Sequence, residues 1–220
     1  MRLKQTCGLL LSLGLVASTT PLIAGCSLSD STAQAPEQSA PADNSMAMTD
    51  HMAMDLGPKD DEFDLRFVDG MILHHQGAIA MSEAALENSQ RPEVKELAQN
   101  IIKDQKGEIS QMQNWRQMWY PQAGTDPVMY DAQMGHTMEM SDKMQSSMRM
   151  DSDLGEADDE FDLRFINGMI PHHEGALMMA EEGLKNSDRP EIKQVSNEIL
   201  RTQQAEIDLM KQWKKDWYGQ

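Results

Sequence analysis

Apolar residues recur along this chain at spacings of three and four, and they do so twice. Between Glu62 and about Glu87, Phe67, Met71, Ala78, Met81 and Ala85 fall on one helical stripe, with Val68, Ile72, Ile79 and Leu86 on a second beside it. Two adjoining stripes make a broad apolar face, the kind a helix buries inside a bundle. Asp60 or Asp61 is the expected N-cap. Asn88 to Arg91 break the pattern, and Pro92 and Glu93 suit a new first turn. Proline there gives up an N–H that would have no helical partner, and the acid complements the helix dipole. This second helix is expected to reach about Trp119, with Val94, Leu97, Ile101, Ile102, Ile109, Met112 and Trp115 on its buried side. Pro121 and Gly124 close the unit.

The same text then returns. Asp60–Tyr120 aligns without a gap on Asp158–Tyr218, at an offset of 98 residues and with 32 of 61 positions identical. That is an internal duplication. One helical hairpin buries too little apolar surface to be secure, whereas two can close a four-helix bundle. The expected class is therefore all-α, two hairpins in one bundle. The alternative is that each hairpin pairs with another chain.

The flanks divide the rest. Residues 1–25 read as a signal peptide: Arg2 and Lys4, an apolar run from about Leu9 to Val16 too short to span a bilayer, then Leu22-Ile23-Ala24-Gly25-Cys26. Small residues before a cysteine resemble a bacterial lipoprotein cleavage box, which would make Cys26 a lipidated N-terminus. Ordinary signal cleavage nearby is the alternative. Residues 26–59 read as a disordered tether rich in Ala, Pro, Ser and Asp, 60–120 as hairpin 1, 121–157 as a Met-rich connector and 158–220 as hairpin 2.

Charge and cysteine narrow the function. The net charge is −17, from 36 acidic and 19 basic residues, and becomes −19 once Arg2 and Lys4 leave with residues 1–25. Nothing in such a chain would neutralise nucleic-acid phosphates, whereas cations would be drawn to it. Cys7 lies in the signal and Cys26 at the cleavage point. No intramolecular disulfide is then available, and packing or metal must hold the fold. The compartment is expected to be the periplasm or the exterior, with a membrane involved only through the lipid.

Candidate chemistry lies in histidine and methionine. His74-His75 and His172-His173 occupy equivalent positions of the two copies. Neighbours on a helix point about 100° apart, so His74 joins the Phe67 stripe and His75 the Ile72 stripe. Met71 and Met81 share their surface, as do Met169, Met178 and Met179 in copy two. The tether adds Met46, Met48, His51, Met52 and Met54, and the connector Met129, Met134, His136, Met138, Met140, Met144, Met148 and Met150. If residues 134–150 are helical, His136, Met140, Met144 and Met148 line one face. Thioether and imidazole without thiolate is a soft donor set that favours copper, Cu(I) ahead of Cu(II). Each methionine could equally be packing, and a Met-rich surface could serve a protein partner. Asp64, Glu83, Asp162 and Glu181 are candidate carboxylates for orienting imidazole. Pro171, where copy one has Leu73, would free the Asn167 carbonyl inside a helix and kink it there.

Catalytic signatures are missing. None of the six histidines has Glu three residues before it, so the Glu-x-x-His of di-iron bundles is absent. There is no His-Glu-x-x-His, phosphate loop or dinucleotide fingerprint. A non-enzyme is expected.

Both copies resemble the DUF305 family, whose hallmark is close to Phe-x-x-x-Phe-x-x-x-Met-Ile-Pro-His-His-x-x-Ala-x-x-Met. Copy one carries it as Phe63, Phe67, Met71-Ile72-Leu73-His74-His75, Ala78 and Met81, and copy two as Phe161, Phe165, Met169-Ile170-Pro171-His172-His173, Ala176 and Met179. Leu73 departs from the usual proline. The resemblance implies a ferritin-like bundle and copper binding through methionine and histidine in a protective role. On that reading the protein is a copper sink or carrier, able to take silver as well, that serves a copper exporter or another envelope protein. The rivals are a structural or partner-binding lipoprotein and a Cu(I) oxidase.

Overall fold

The computed structural model describes residues 55–220. The signal segment, Cys26 and the cluster Met46, Met48, His51, Met52 and Met54 lie outside the described residues. Five helices and one small hairpin follow in order: α1 Phe63–Asn88, α2 Pro92–Trp119, β1 Val128–Asp131, β2 His136–Glu139, α3 Asp142–Arg149, α4 Phe161–Asn186 and α5 Pro190–Tyr218. Helix α1 packs on α2, α4 packs on α5, and α1 meets α4 to join the hairpins. No helix among the described residues is long and apolar enough to cross a membrane.

The helix ends follow local chemistry. Glu62 stands at the N-cap of α1 without a side-chain cap. Asp60 acts just outside, its carboxylate accepting the Glu62 N–H at 2.9 Å, and Asp158 does the same for Glu160 at 3.0 Å. Pro92 and Pro190 open α2 and α5. Helix α4 runs unbroken through Pro171, whose side chain is exposed. Solvent there can satisfy the Asn167 carbonyl that proline leaves without a helical donor.

Apolar residues form two clusters, and each takes side chains from both copies. One holds Phe63, Phe67 and Met71 with Ala176, Met179 and Ile192; the other holds Ala78, Met81 and Val94 with Phe161, Phe165 and Met169. The crossing of α1 and α4 is antiparallel. A Cβ placed on Gly70 would lie 3.1 Å from the Met179 methyl, and one on Gly168 would lie 3.5 Å from the Met81 sulfur. These contacts are the same two positions with the copies exchanged, so a pseudo-twofold axis passes between the helices. The hairpin tips are latched in the same reciprocal manner. Arg91 pairs with Asp162 at 3.5 Å and covers Trp217, while Arg189 pairs with Asp64 at 3.1 Å and covers Trp119.

The connector is not one helix over 134–150. Residues 128–139 form an antiparallel hairpin, and only 142–149 are helical. Turn chemistry explains the difference. The Asp131 carboxylate accepts the N–H groups of Gln133 and Met134, and Gly135 adopts φ +72°, a conformation that suits a residue without Cβ. Ser141 then caps α3 by accepting the Met144 N–H. His136, Met140, Met144 and Met148 consequently share no helical stripe. Met140 and Met148 pack in the core, Met134, Met144 and His136 are exposed, and Met138 is half-buried.

Candidate metal centre

At the crossing of α1 and α4 the two histidine pairs converge. The rings of His74 and His172, equivalent residues of the two copies, lie 3.8 Å apart between centroids. All four imidazoles are at most 1% exposed. Met71, Met81, Met169 and Met179 are likewise buried, one methionine from each copy in each apolar cluster. Two reciprocal methionine pairs, Met71 with Met179 and Met81 with Met169, thus lie on the same two helices as the imidazoles. The helical period puts both histidines on inward stripes; the crossing of α1 over α4 then stacks the stripes on one another.

Each imidazole but one is tied at the same nitrogen. His75 Nε2 faces Glu108 Oε2 at 2.6 Å and His173 Nε2 faces Glu206 Oε2 at 2.8 Å. His172 Nε2 faces the backbone carbonyl of Arg149 at 3.0 Å. An acceptor at Nε2 fixes the proton there and turns the lone pair of Nδ1 inward. Among the described residues the buried Nδ1 atoms of His75, His172 and His173 have no partner, and neither do the two ring nitrogens of His74. Five unpaired imidazole nitrogens in one dry spot are costly unless something binds them.

Burial keeps the rings of His74, His172 and His173 neutral. It holds His74 well below the usual imidazole range, with His172 adding to the effect. Burial, then the neighbouring His173, brings His172 to about 3; burial, then His75, brings His173 to about 3 as well. Burial, together with Asp104 and Glu108, lifts Glu206 to about 7. The His173–Glu206 contact is accordingly a hydrogen bond rather than an ion pair. Neutral imidazoles with free lone pairs are the form in which histidine ligates metal. Among the described residues no three His, Cys, Asp or Glu side chains stand close enough to hold one ion alone. A cation here would need thioether sulfur as well, which selects soft metals.

The carboxylates that orient imidazole are Glu108 and Glu206, not the four singled out from the sequence. Asp64 and Asp162 serve the tip latches, Glu83 pairs with Lys106 on the surface, and Glu181 is exposed. The missed signal was available: Glu108 falls in register with the buried Ile101, Gln105 and Met112, and Glu206 repeats it beside Gln203 and Met210. An acid repeated within an apolar stripe wants a buried partner. Met178 lies on the outer side of α4, 42% exposed.

The sequence profile of DUF305, a domain of unknown function, matches residues 25–116 and 64–214. Solved structures of CopM in Cu(I)-bound, Cu(II)-bound and silver-soaked forms are 38%, 41% and 37% identical, each at a TM-score of 0.56, covering 70% of this chain and 97% of theirs. A DUF305 fragment from Deinococcus radiodurans is 28% identical at a TM-score of 0.55, covering 70% of this chain and 95% of that one. Uncharacterized protein L153 of Acanthamoeba polyphaga mimivirus is 41% identical over 49 residues, 22% of this chain and 32% of that protein, so the match spans about a third of its length.

Proposed function

Because the chain belongs to the DUF305 family, we propose that it is an exported copper-binding protein that takes up Cu(I) at the α1–α4 crossing and acts as a sink or carrier. The observation that supports this most is the set of buried Nδ1 atoms without partners among the described residues, on two helices that also bury four methionines. His74, His75, His172 and His173 supply nitrogen, and Met71, Met81, Met169 and Met179 supply sulfur. Glu108, Glu206 and the Arg149 carbonyl orient rings from behind, as carboxylates and carbonyls do for metal-bound histidine. Thioether and neutral imidazole bring no charge, so the ion's charge must be met from outside the ligand shell. The two glutamates can do that without touching metal. CopM, similar over most of its length, has been solved with Cu(I), Cu(II) and silver.

The exposed Met134, Met144 and His136, with Met46, Met48, His51, Met52 and Met54 of the tether, serve as weaker capture groups. Met138, Met140 and Met148 belong with packing, and Met178 with the outer surface. No turnover is needed for this role. Export rests on Arg2, Lys4 and the Leu22–Cys26 box, with Cys26 as the lipid attachment point.

The test is titration of the mature protein with Cu(I) against a competing chelator, beside a variant with His74, His75, His172 and His173 all changed to Ala. The tight sites should vanish from the variant while its helical content by circular dichroism persists. Equal tight uptake by a folded variant would remove the crossing from the mechanism.

A further inference from the structure

All four imidazoles are buried, so an ion bound among them must reach them through some part of the bundle. The pseudo-twofold axis points to that part. The reciprocal approaches of Gly70 to Met179 and of Gly168 to Met81 centre it on His75 and His173 of α1 and α4. Gly77 stands about 200° around α1 from His75. The Arg149 carbonyl rests on Gly77, faces His172 Nε2 and closes that side. On the other side the axis leaves between α2 and α5, which pack on α1 and α4 but not closely on each other.

Three acids gather there from the two helices. Glu108 and Glu206 reach in to His75 and His173, yet their side chains stay 16% and 13% exposed. Asp104 is exposed, and its charge and that of Glu108 both act on Glu206 across the gap. Lys106 beside them is turned away to Glu83.

Two buried amides accompany the acids. Gln105 is 3% exposed, and neither its oxygen nor its nitrogen has a partner among the described residues. Gln203, its equivalent, is 3% exposed, and its oxygen has none either. Each stands three residues before a ring-facing glutamate, on the same helix face. One turn earlier the same stripes carry Ile101 and Ile199, both buried. An apolar side chain at 105 or 203 would avoid the cost of an unpaired polar group. Carbonyl oxygen also holds Cu(I) less well than thioether or imidazole does. Among the described residues no three His, Cys, Asp or Glu side chains are placed to hold an ion. Oxygens so arranged suit passage rather than storage.

We infer that copper enters and leaves the crossing between α2 and α5, drawn in by Asp104, Glu108 and Glu206 and passed to the imidazoles by the side-chain oxygens of Gln105 and Gln203. This rests on the copper reading above and adds its route. The two glutamines let a site without exposure exchange its ion with solvent.

Stopped-flow transfer of Cu(I) in the absence of oxygen tests this, from a chromogenic chelator to the mature protein and back to excess chelator. The phase to follow is the one that disappears when His74, His75, His172 and His173 are all changed to Ala. Gln105→Leu with Gln203→Leu should slow uptake and release alike, each by about tenfold or more, so that Kd stays within about twofold. The urea midpoint of that variant should hold or rise, since unpaired amides are removed. Asp104→Lys, at an exposed position, should slow uptake several-fold at low salt and much less at high salt, and decides the matter if the leucine pair does not fold. Gln76→Leu, beside Arg149 on the connector side, should leave both rates as they are. Tight binding with unchanged rates in the leucine pair, or unchanged uptake in Asp104→Lys, would overturn the route and leave the copper reading standing. So would slower transfer in Gln76→Leu, which would move the route to the connector side. Weaker binding with faster release in the leucine pair would also overturn it, by making the glutamines holders of the ion. Absence of the phase from the unaltered protein would sink the copper reading, and the route with it.

Discussion

Helices α1 and α4 descend from one sequence and are held in different surroundings. Each has 26 residues, but 18 are buried in α1 and 12 in α4. The surplus lies on one side. β1 and α3 pack on α1, and Asp69 on that side holds Arg116 while accepting the Val128 N–H at 3.0 Å. In copy two the same positions are Asn167 and Lys214. Burial raises the Asp69 carboxyl despite its arginine partner. Two copies of one hairpin have thus become a covered half and an open half about a shared centre. The sequence differences between them track the cover rather than the centre.

A large effect is expected where the halves are alike. Burial lowers three imidazoles, His74, His172 and His173, so each stabilises the fold above its unfolded value of 6.5 and withdraws that support as pH falls below it. Glu206, raised from 4.5 to about 7, acts oppositely and gains as pH falls through that range. With three groups against one, the copper-free protein should lose about 3 kcal/mol per pH unit between roughly pH 6 and 4.5. Urea unfolding followed by circular dichroism at a series of pH values measures this. A flat profile would mean that the centre is wetter than the structure has it.

Exchanging the residues before the histidines should break the comparison next. Leu73→Pro removes a buried side chain and a helical hydrogen bond, a loss on the order of 5 kcal/mol or more. Pro171→Leu, at an exposed helical position, should instead stabilise by about 1–3 kcal/mol. Effects of one sign from both exchanges would show that the two faces are equally covered. The buried ion pair gives a third contrast. Asp69→Asn should cost about 3 kcal/mol by leaving Arg116 unpaired against the connector, whereas Asn167→Asp should change thermal stability by under about 0.5 kcal/mol.

The smallest effect concerns one methyl group. A Cβ at Gly183 would lie 2.6 Å from both Phe67 Cε2 and Ser196 Oγ, yet the equivalent residue in copy one is Ala85. Gly183→Ala should therefore destabilise by about 1–3 kcal/mol through overpacking, despite the better helix propensity of alanine. Ala85→Gly should cost about 1 kcal/mol through propensity alone. Thermal melts of the two variants check both.

Much of this was legible from spacing. The start and stop of α1, α2, α4 and α5, the inward direction of both histidine pairs and the burial of Met71, Met81, Met169 and Met179 all follow from periodicity and helix-end chemistry. The connector was not legible in the same way. Methionines four apart between 134 and 150 suggested one helical face, but Asp131 and Gly135 supply a turn that local hydrogen bonds favour, and β2 precedes the helix. Glu108 and Glu206, read singly, are ordinary acids on charged helices, and only the imidazoles they face set them apart.

What the sequence determined alone is the direction each side chain takes from its own helix axis, because that depends on 3.6 residues per turn and nothing further away. It also determined that the helices come as two equivalent hairpins, since the duplication is written in the text. Which directions meet was decided only by the tertiary structure: His74 against His172, Glu108 behind His75, the Arg149 carbonyl on Gly77. The first depends on the antiparallel crossing of α1 and α4, 98 positions apart, and the others on contacts 33 and 72 positions apart, none of which a local period encodes. Protonation was decided there too, because an imidazole stays neutral at this site only once the other three helices of the bundle have taken its water away.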